Sequence, residues 1–82
     1  MSEHINSWIE QVLTDALVAE RVVVGGDGRH FEITVVSARF EGQRPVKQQQ
    51  LVYAALNEKI VDGTIHAVMM KTLTPAEWQA QQ

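Results

Sequence analysis

Apolar side chains recur along the first part of the chain at the spacing of one buried helix face. They stand three and four residues apart, which an α-helix brings onto a single side. Ser2 can cap the start of this helix, and Glu3 suits its first turn because a carboxylate is favourable at the positive end of the helix dipole. The sequence therefore predicts an amphipathic helix whose buried face consists of Ile5, Trp8, Ile9, Val12, Leu13, Ala16 and Leu17.

Two β-type segments follow this helix. Residues 21–24 include three consecutive valines, and β-branched side chains favour an extended strand. Residues 31–36 alternate between apolar and polar side chains at their start, as expected of a strand with one buried side. The glycine-rich residues 25–28 between them predict a turn, because glycine adopts positive φ without steric cost. Together these segments predict an antiparallel hairpin.

The second half of the chain predicts a longer helix, a third strand and a short last helix. Residues 37–43 are expected to form a loop, and Pro45 suits the first turn of the helix that follows because its missing N–H is not needed there. Residues 62–63, Asp-Gly, end that helix, and residues 65–73 predict the third strand. Residues 74–77 form a capping box with proline at its second position, which starts the last helix.

The element order α-β-β-α-β-α predicts an α+β fold with a mixed three-stranded sheet packed by helices. A helix joins the second and third strands, and such a crossover between neighbouring strands implies a parallel pair. A chain of 82 residues has room for one hydrophobic core, so residues 1–82 are predicted to form a single domain.

The composition excludes several classes of site. The chain has no cysteine, so it cannot by itself form a disulfide, a thiolate zinc site or an all-cysteine iron–sulfur site. Seven basic and ten acidic residues give a net charge of −3, which disfavours non-specific nucleic-acid binding. The N-terminus lacks a signal-peptide pattern, and no apolar run approaches a transmembrane length. We therefore expect a cytoplasmic protein with no membrane partner.

His30 and His66 are the strongest candidates for chemistry. They stand 36 positions apart, so only the fold can bring them together. Histidines at such places either complete a local hydrogen-bond pattern or ligate a metal, and the residues alone leave both interpretations open. The third histidine, His4, lies near a helix terminus and is given no role. No Ser-His-Asp order, carboxylate pair or Walker loop is present, so we do not expect an enzyme.

Three parts of the chain carry motifs that are specific in combination although each is weak alone. The first is residues 26–31, GDGRHF. The second is residues 39–42, RFEG, with residues 44–53, RPVKQQQLVY. The third is residues 65–67, IHA, with residues 70–78, MKTLTPAEW. In this combination the chain resembles the BolA family over nearly its whole length, and most closely the short bacterial branch. The resemblance implies a fold similar to class II KH domains.

The resemblance also implies a function in iron–sulfur chemistry. BolA proteins bind monothiol glutaredoxins and share a [2Fe–2S] cluster with them, and His66 matches the family's C-terminal histidine ligand. The second family ligand comes from the hairpin, where this chain offers His30 and Asp27. Imidazole is the softer donor and suits iron better than carboxylate, so His30 is preferred and Asp27 is the alternative. The isolated protein is expected to hold no cofactor, because the partner must supply the thiolates.

A DNA-binding transcriptional regulator is the alternative function. Arg39, Arg44 and Lys47 cluster at the start of the central helix, a region described as helix-turn-helix-like in the family. Residues 40–44, however, contain one glycine where a KH domain has its G-x-x-G loop, and the same cations could dock an acidic protein. The predicted residues for partner or nucleic-acid binding are Arg39, Arg44, Lys47, Tyr53 and Lys71.

The central helix is also predicted to present a surface feature. The residues expected there are Gln48, Gln49, Val52 and Tyr53. Tyr53 belongs either to the core or to an interface, and tyrosine is enriched at protein interfaces because its ring is apolar and its hydroxyl polar. The partner expected first is a monothiol glutaredoxin in a heterodimer, and a weak homodimer is the remaining expectation.

Overall fold

The computed structural model describes residues 2–26 and 30–81, and it has the predicted α+β element order. A short 3-10 helix, Ala38–Phe40, is added between the second strand and the second long helix. No helix in these residues is long and apolar enough to cross a membrane. The elements are α1 Ser2–Leu17, β1 Arg21–Gly26, β2 His30–Val36, α2 Pro45–Val61, β3 Ala67–Leu73 and α3 Pro75–Ala80.

The three strands form a mixed sheet in the order β1-β2-β3, which confirms the predicted sheet. β1 and β2 are antiparallel, with Gly26 opposite Phe31. β2 and β3 are parallel, and His30 is paired with Ala67 at the start of both strands. The helix between β2 and β3 supplies the crossover that a parallel pair requires.

The core lies between one face of the sheet and helices α1 and α2. The predicted stripe of α1 contributes Ile9, Leu13 and Leu17, and the alternating residues of β2 contribute the other side. This explains why the 3.6-residue and two-residue periodicities both appear in the sequence. The buried residues of the core cluster are Ile9, Leu13, Leu17, Phe31, Ile33, Val35, Phe40, Val52, Leu56 and Ile65.

The other face of the sheet is covered only near α3. The guanidinium of Arg21 lies 5.0 Å from the centre of the Trp78 ring, a cation–π distance. The capping box predicted for α3 is present, because Thr74 Oγ1 accepts from the Glu77 N–H at 3.2 Å and Glu77 Oε1 accepts from the Thr74 N–H at 2.8 Å. Met69 on β3 faces the uncovered part and is 71% exposed.

Several predicted boundaries differ from the structure. Gly25 and Gly26 were expected in the turn, but both belong to β1. The third strand begins at Ala67, so Ile65 and His66 precede it. Ile65 is a buried residue whose N–H donates to the carbonyl oxygen of Lys59 at 3.0 Å, which ties it to α2.

The segment expected to be a plain loop also contributes to the core. Phe40 is fully buried at the end of the 3-10 helix. Ser37 caps that helix, since its Oγ accepts from the Arg39 N–H at 3.1 Å and donates to the Leu17 carbonyl at 2.6 Å. The segment is therefore anchored to α1 at one end and to the core at the other.

Candidate functional site

The fold brings His30 and His66 to the same end of the sheet. His30 is the first residue of β2, and its partner in β3 is Ala67, the residue directly after His66. Neighbouring strands of a sheet lie about 4.8 Å apart, so the backbone of His66, one residue before β3, lies near the start of β2. Both side chains are exposed to solvent. Two residues far apart in sequence thus lie at the same end of the sheet.

The backbone around His66 is fixed on both sides. Before it, the buried Ile65 is anchored in the core and hydrogen bonded to α2. After it, Ala67 enters the parallel ladder beside His30. Because the backbone here is already ordered, ligand binding by this imidazole costs side-chain freedom only, which favours binding.

The turn that leads into His66 is stabilised by Asp62, the C-cap of α2. Its Oδ1 accepts from the Thr64 N–H at 2.8 Å, and its Oδ2 lies 4.0 Å from Lys59 Nζ. The Thr64 side chain and backbone N–H, with a smaller contribution from Lys59, lower the pKa of Asp62 below its ordinary value. The Asp62 carboxylate is therefore ionised at neutral pH in the folded protein.

The backbone around His30 is restrained by a glycine on the neighbouring strand. Gly26 has a φ of +129°, and a Cβ there would collide with the backbone carbonyl of His30. Gly25, one residue earlier, has no atom within 4 Å of the place where a Cβ would lie. Only Gly26 is therefore required for the close approach. Asp27, the alternative ligand, lies outside the described residues.

Within the described part of the chain, His30 and His66 do not belong to a larger group of metal-ligating side chains. Among residues 2–26 and 30–81, no cluster of three or more His, Cys, Asp or Glu side chains is arranged to hold a metal ion. The described part of the site therefore offers two exposed imidazoles. Beside His30 there is an open depression lined by Gly26, His30, Phe31, Glu32, Ala67, Val68 and Met69.

The basic residues Arg39, Arg44 and Lys47 lie exposed around the start of α2. Arg39 is in the 3-10 helix, Arg44 is the N-cap of α2 and Lys47 is in its first turn. Arg44 makes no side-chain capping bond, and the first turn holds no acidic residue. Cations at this end oppose the helix dipole, so their charge is available to an external anion.

Gln48 organises this basic region and was wrongly predicted to be a surface residue. Its side chain is 8% exposed, and its Nε2 donates to the carbonyl oxygens of Phe40 and Gln43, both at 3.0 Å. Its Oε1 accepts from Thr72 Oγ1 of β3 at 2.7 Å. Val52, also expected on the surface, is fully buried. The four-residue steps from 48 to 52 to 56 are the signal that places Gln48 on the core side of α2.

Two other predicted binding residues lie apart from this cluster. Tyr53 is 45% exposed on the outer face of α2. Lys71 is exposed on β3, but it neighbours Thr72, whose side chain faces Gln48. Successive strand residues point to opposite faces, so Lys71 lies on the far side of the sheet from the basic residues of α2.

Sequence comparison identifies the relatives of the chain. The family model described as BolA-like protein matches residues 6–77. Acid stress protein IbaG of Escherichia coli K12 is 49% identical over 73 residues, which cover 89% of this chain and 87% of that protein. The resemblance predicted from the three groups of motifs, including the short bacterial branch, is thereby confirmed.

Solved structures show the same fold. The solution structure of BolA1 from Mus musculus has a TM-score of 0.82 and 33% identity, and the match covers 94% of this chain and 70% of that one. The crystal structure of a bol-like protein from Babesia bovis has a TM-score of 0.80 and 36% identity, covering 93% and 91% of the two chains. The α+β fold with a mixed three-stranded sheet is therefore shared with these proteins.

Proposed function

Because the chain belongs to the BolA-like protein family, we propose that it is an adaptor that binds a monothiol glutaredoxin and helps to ligate a shared [2Fe–2S] cluster. Its role would be in iron–sulfur cluster assembly, trafficking or iron sensing, by binding rather than by catalysis. The observation that carries this proposal is the parallel pairing of His30 with Ala67, which places the backbone of His66 beside the start of β2.

The donor chemistry of the chain fits a shared cluster. A [2Fe–2S] centre accepts two imidazoles in place of two thiolates, and this replacement raises its reduction potential. The chain contains no cysteine, so the thiolates come from the partner. His66 and His30 are the proposed ligands, and Asp27 is the alternative to His30 because imidazole suits iron better than carboxylate does.

The test mixes the protein with cluster-loaded monothiol glutaredoxin and follows visible absorption and circular dichroism. We expect a complex with an altered spectrum. His66→Ala should lose the altered spectrum, and His30→Ala should weaken it less if Asp27 substitutes. His4→Ala is the matched control, since it removes an imidazole from α1 and should leave the spectrum unchanged. Failure of the wild type to form a complex or change the spectrum at micromolar concentration would contradict the proposal.

A pair of glycine variants tests whether the position of His30 matters. Gly26→Ala should shift the His30 backbone and weaken the cluster complex, because a Cβ there collides with the His30 carbonyl. Gly25→Ala introduces the same atom into open space and should leave the complex intact. Equal effects of the two variants on the spectrum would contradict a positioned His30.

DNA binding is the second candidate, supported by the exposed Arg39, Arg44 and Lys47 around the start of α2. If each cation neutralises one phosphate, log affinity falls with log salt at a slope of about −2.7, or about 40-fold between 50 and 200 mM. Arg39→Gln and Arg44→Gln should each reduce the slope by about 0.9. A slope near zero, or variants that leave it unchanged, would exclude this candidate, and the negative net charge ranks it second.

A further inference from the structure

The outer face of α2 is a solvent-exposed stripe without charged side chains. Val46, Tyr53 and Val61 are 65%, 45% and 75% exposed, and they are three of the six large hydrophobic residues that the described residues leave exposed. At about 100° per residue they fall on one side of the helix. The members of this neutral stripe are Val46, Gln50, Tyr53, Ala54, Asn57 and Val61.

The neutral stripe reads nearly the same in both directions. About the midpoint between Tyr53 and Ala54, Val46 mirrors Val61 and Gln50 mirrors Asn57. At the centre the large Tyr53 mirrors the small Ala54. A two-fold axis through the midpoint would therefore place apolar ends against apolar ends, amides against amides, and a large side chain against a small one.

Charges flank the neutral stripe on one side with matching symmetry. Lys47 and Glu58 are both exposed and lie on the same flank of the helix, near its opposite ends. In an antiparallel pair of helices related by a two-fold axis, Lys47 of one copy comes beside Glu58 of the other, and the reverse contact follows by symmetry. Within one chain the two residues lie about 16 Å apart along α2, too far for an ion pair.

We propose that the neutral stripe of α2 is a self-association surface, on which a second copy of this chain docks antiparallel through its own α2. A two-fold interface requires a self-complementary surface. The side chains mirrored about the midpoint of the stripe, and the opposite charges of Lys47 and Glu58, meet this requirement. The 17-residue helix is about 25 Å long, and one helix contact buries less than the roughly 800 Å² per partner of a standard stable interface. The dimer is therefore weak and dependent on concentration.

The decisive experiment uses two charge-reversed full-length variants in sedimentation equilibrium. Lys47→Glu and Glu58→Lys each place like charges at both symmetric contacts, and each should weaken self-association about tenfold. An equimolar mixture of the two should recover wild-type affinity, because both contacts become attractive in the mixed dimer. Both variants retain a negative net charge, so bulk attraction does not explain recovery. Glu10→Lys, an exposed change on α1, is the control and should associate like the wild type.

Three results would overturn the inference. One is a wild type that remains monomeric over about a hundredfold range of concentration up to the millimolar level. Another is a mixture that associates no better than either variant alone. The third is a Lys47→Glu variant that dimerises normally but loses glutaredoxin or DNA binding, since the surface would then belong to that partner. The first two results do not bear on cluster ligation by His66, and after the third that ligation is still read from the spectrum of the wild-type complex.

Discussion

Val18 ends α1 in a backbone conformation that is unfavourable for its side chain. Its φ is +47°, a left-handed region in which a β-branched residue is strained, and its side chain is 65% exposed. The Ala19 N–H donates to the Thr14 carbonyl oxygen at 3.2 Å. This hydrogen bond is typical of a helix C-terminus whose left-handed residue, here Val18, is usually glycine. The helix therefore ends at a residue whose β-branched side chain disfavours the backbone conformation that the helix end requires.

Replacing Val18 should stabilise the protein. Val18→Gly relieves the strain, worth about 1–2 kcal/mol, and part of the gain is offset by the greater freedom of glycine in the unfolded chain. We expect a net increase of about 0.5–1 kcal/mol in the free energy of unfolding, measured with urea. Val18→Ala keeps a Cβ and should gain less. A glycine variant less stable than the alanine variant would contradict this account.

The ionised Asp62 contributes stability that acid removes. Its pKa is lowered in the folded protein, first by the Thr64 hydroxyl and then by the Thr64 N–H. A group with a depressed folded pKa stabilises the fold above its unfolded pKa, about 3.9 for aspartate, and loses that contribution as pH falls through the folded value.

The comparison of wild type with Asp62→Asn should follow this pH dependence. The wild type should melt at the higher temperature at neutral pH, because asparagine lacks the charge that strengthens the hydrogen bonds from Thr64 and that Lys59 faces at 4.0 Å. The difference between the two melting temperatures should narrow below pH 4 and vanish under stronger acid. A difference that widens on acidification would show that the charge is not the source of the effect.

At the scale of elements, Gln48 joins three parts of the fold. It connects α2 to the 40–43 segment and to β3 through three hydrogen bonds. Gln48→Leu preserves the size of the side chain but leaves the carbonyls of Phe40 and Gln43 without this donor. We expect a loss of about 2–4 kcal/mol in the free energy of unfolding.

Gln49→Leu is the matched control for this prediction. Gln49 is exposed on the next position of the same helix, so its replacement should change stability by no more than about 0.5 kcal/mol in the same urea titration. Equal effects at positions 48 and 49 would show that burial of the amide has no energetic consequence.

Sequence periodicity predicted the elements but not this connection. The stripes of α1 and the alternation of β2 are local patterns, and burial of apolar side chains enforces them wherever they occur. A glutamine has no such preference, because its burial is favourable only when distant groups satisfy its amide. Those groups belong to Phe40, Gln43 and Thr72, and their positions follow from the assembled fold.

At the scale of the molecule, the sheet has one face in the core and one largely open to solvent. Met69 and Met70 are neighbours on β3 that point to opposite faces; Met70 packs against the core and Met69 is 71% exposed. Met70→Lys should lower the free energy of unfolding by about 2 kcal/mol or more, because it brings a charge to the core. Met69→Lys should change it by no more than about 0.5 kcal/mol. Comparable losses in thermal or urea unfolding would contradict a one-sided sheet.

The candidate site depends on this whole-molecule arrangement more than on any local pattern. The motif around His66 was recognisable, yet its proximity to His30 required the parallel register of β2 and β3. The close approach of Gly26 to the His30 carbonyl was not predictable, since glycine-rich segments ordinarily mark turns, and these glycines extend a strand instead.

The parallel register also sets when during folding the two histidines meet. The β1–β2 hairpin joins neighbouring segments, whereas the β2–β3 ladder closes a loop of more than thirty residues, and such non-local pairing is the slow part of folding. Until that ladder forms, no strand pairing holds the segment around His66 beside His30. If the two histidines ligate a cluster as proposed, the ligand pair is complete only when the sheet is, and cluster binding then reports the finished fold.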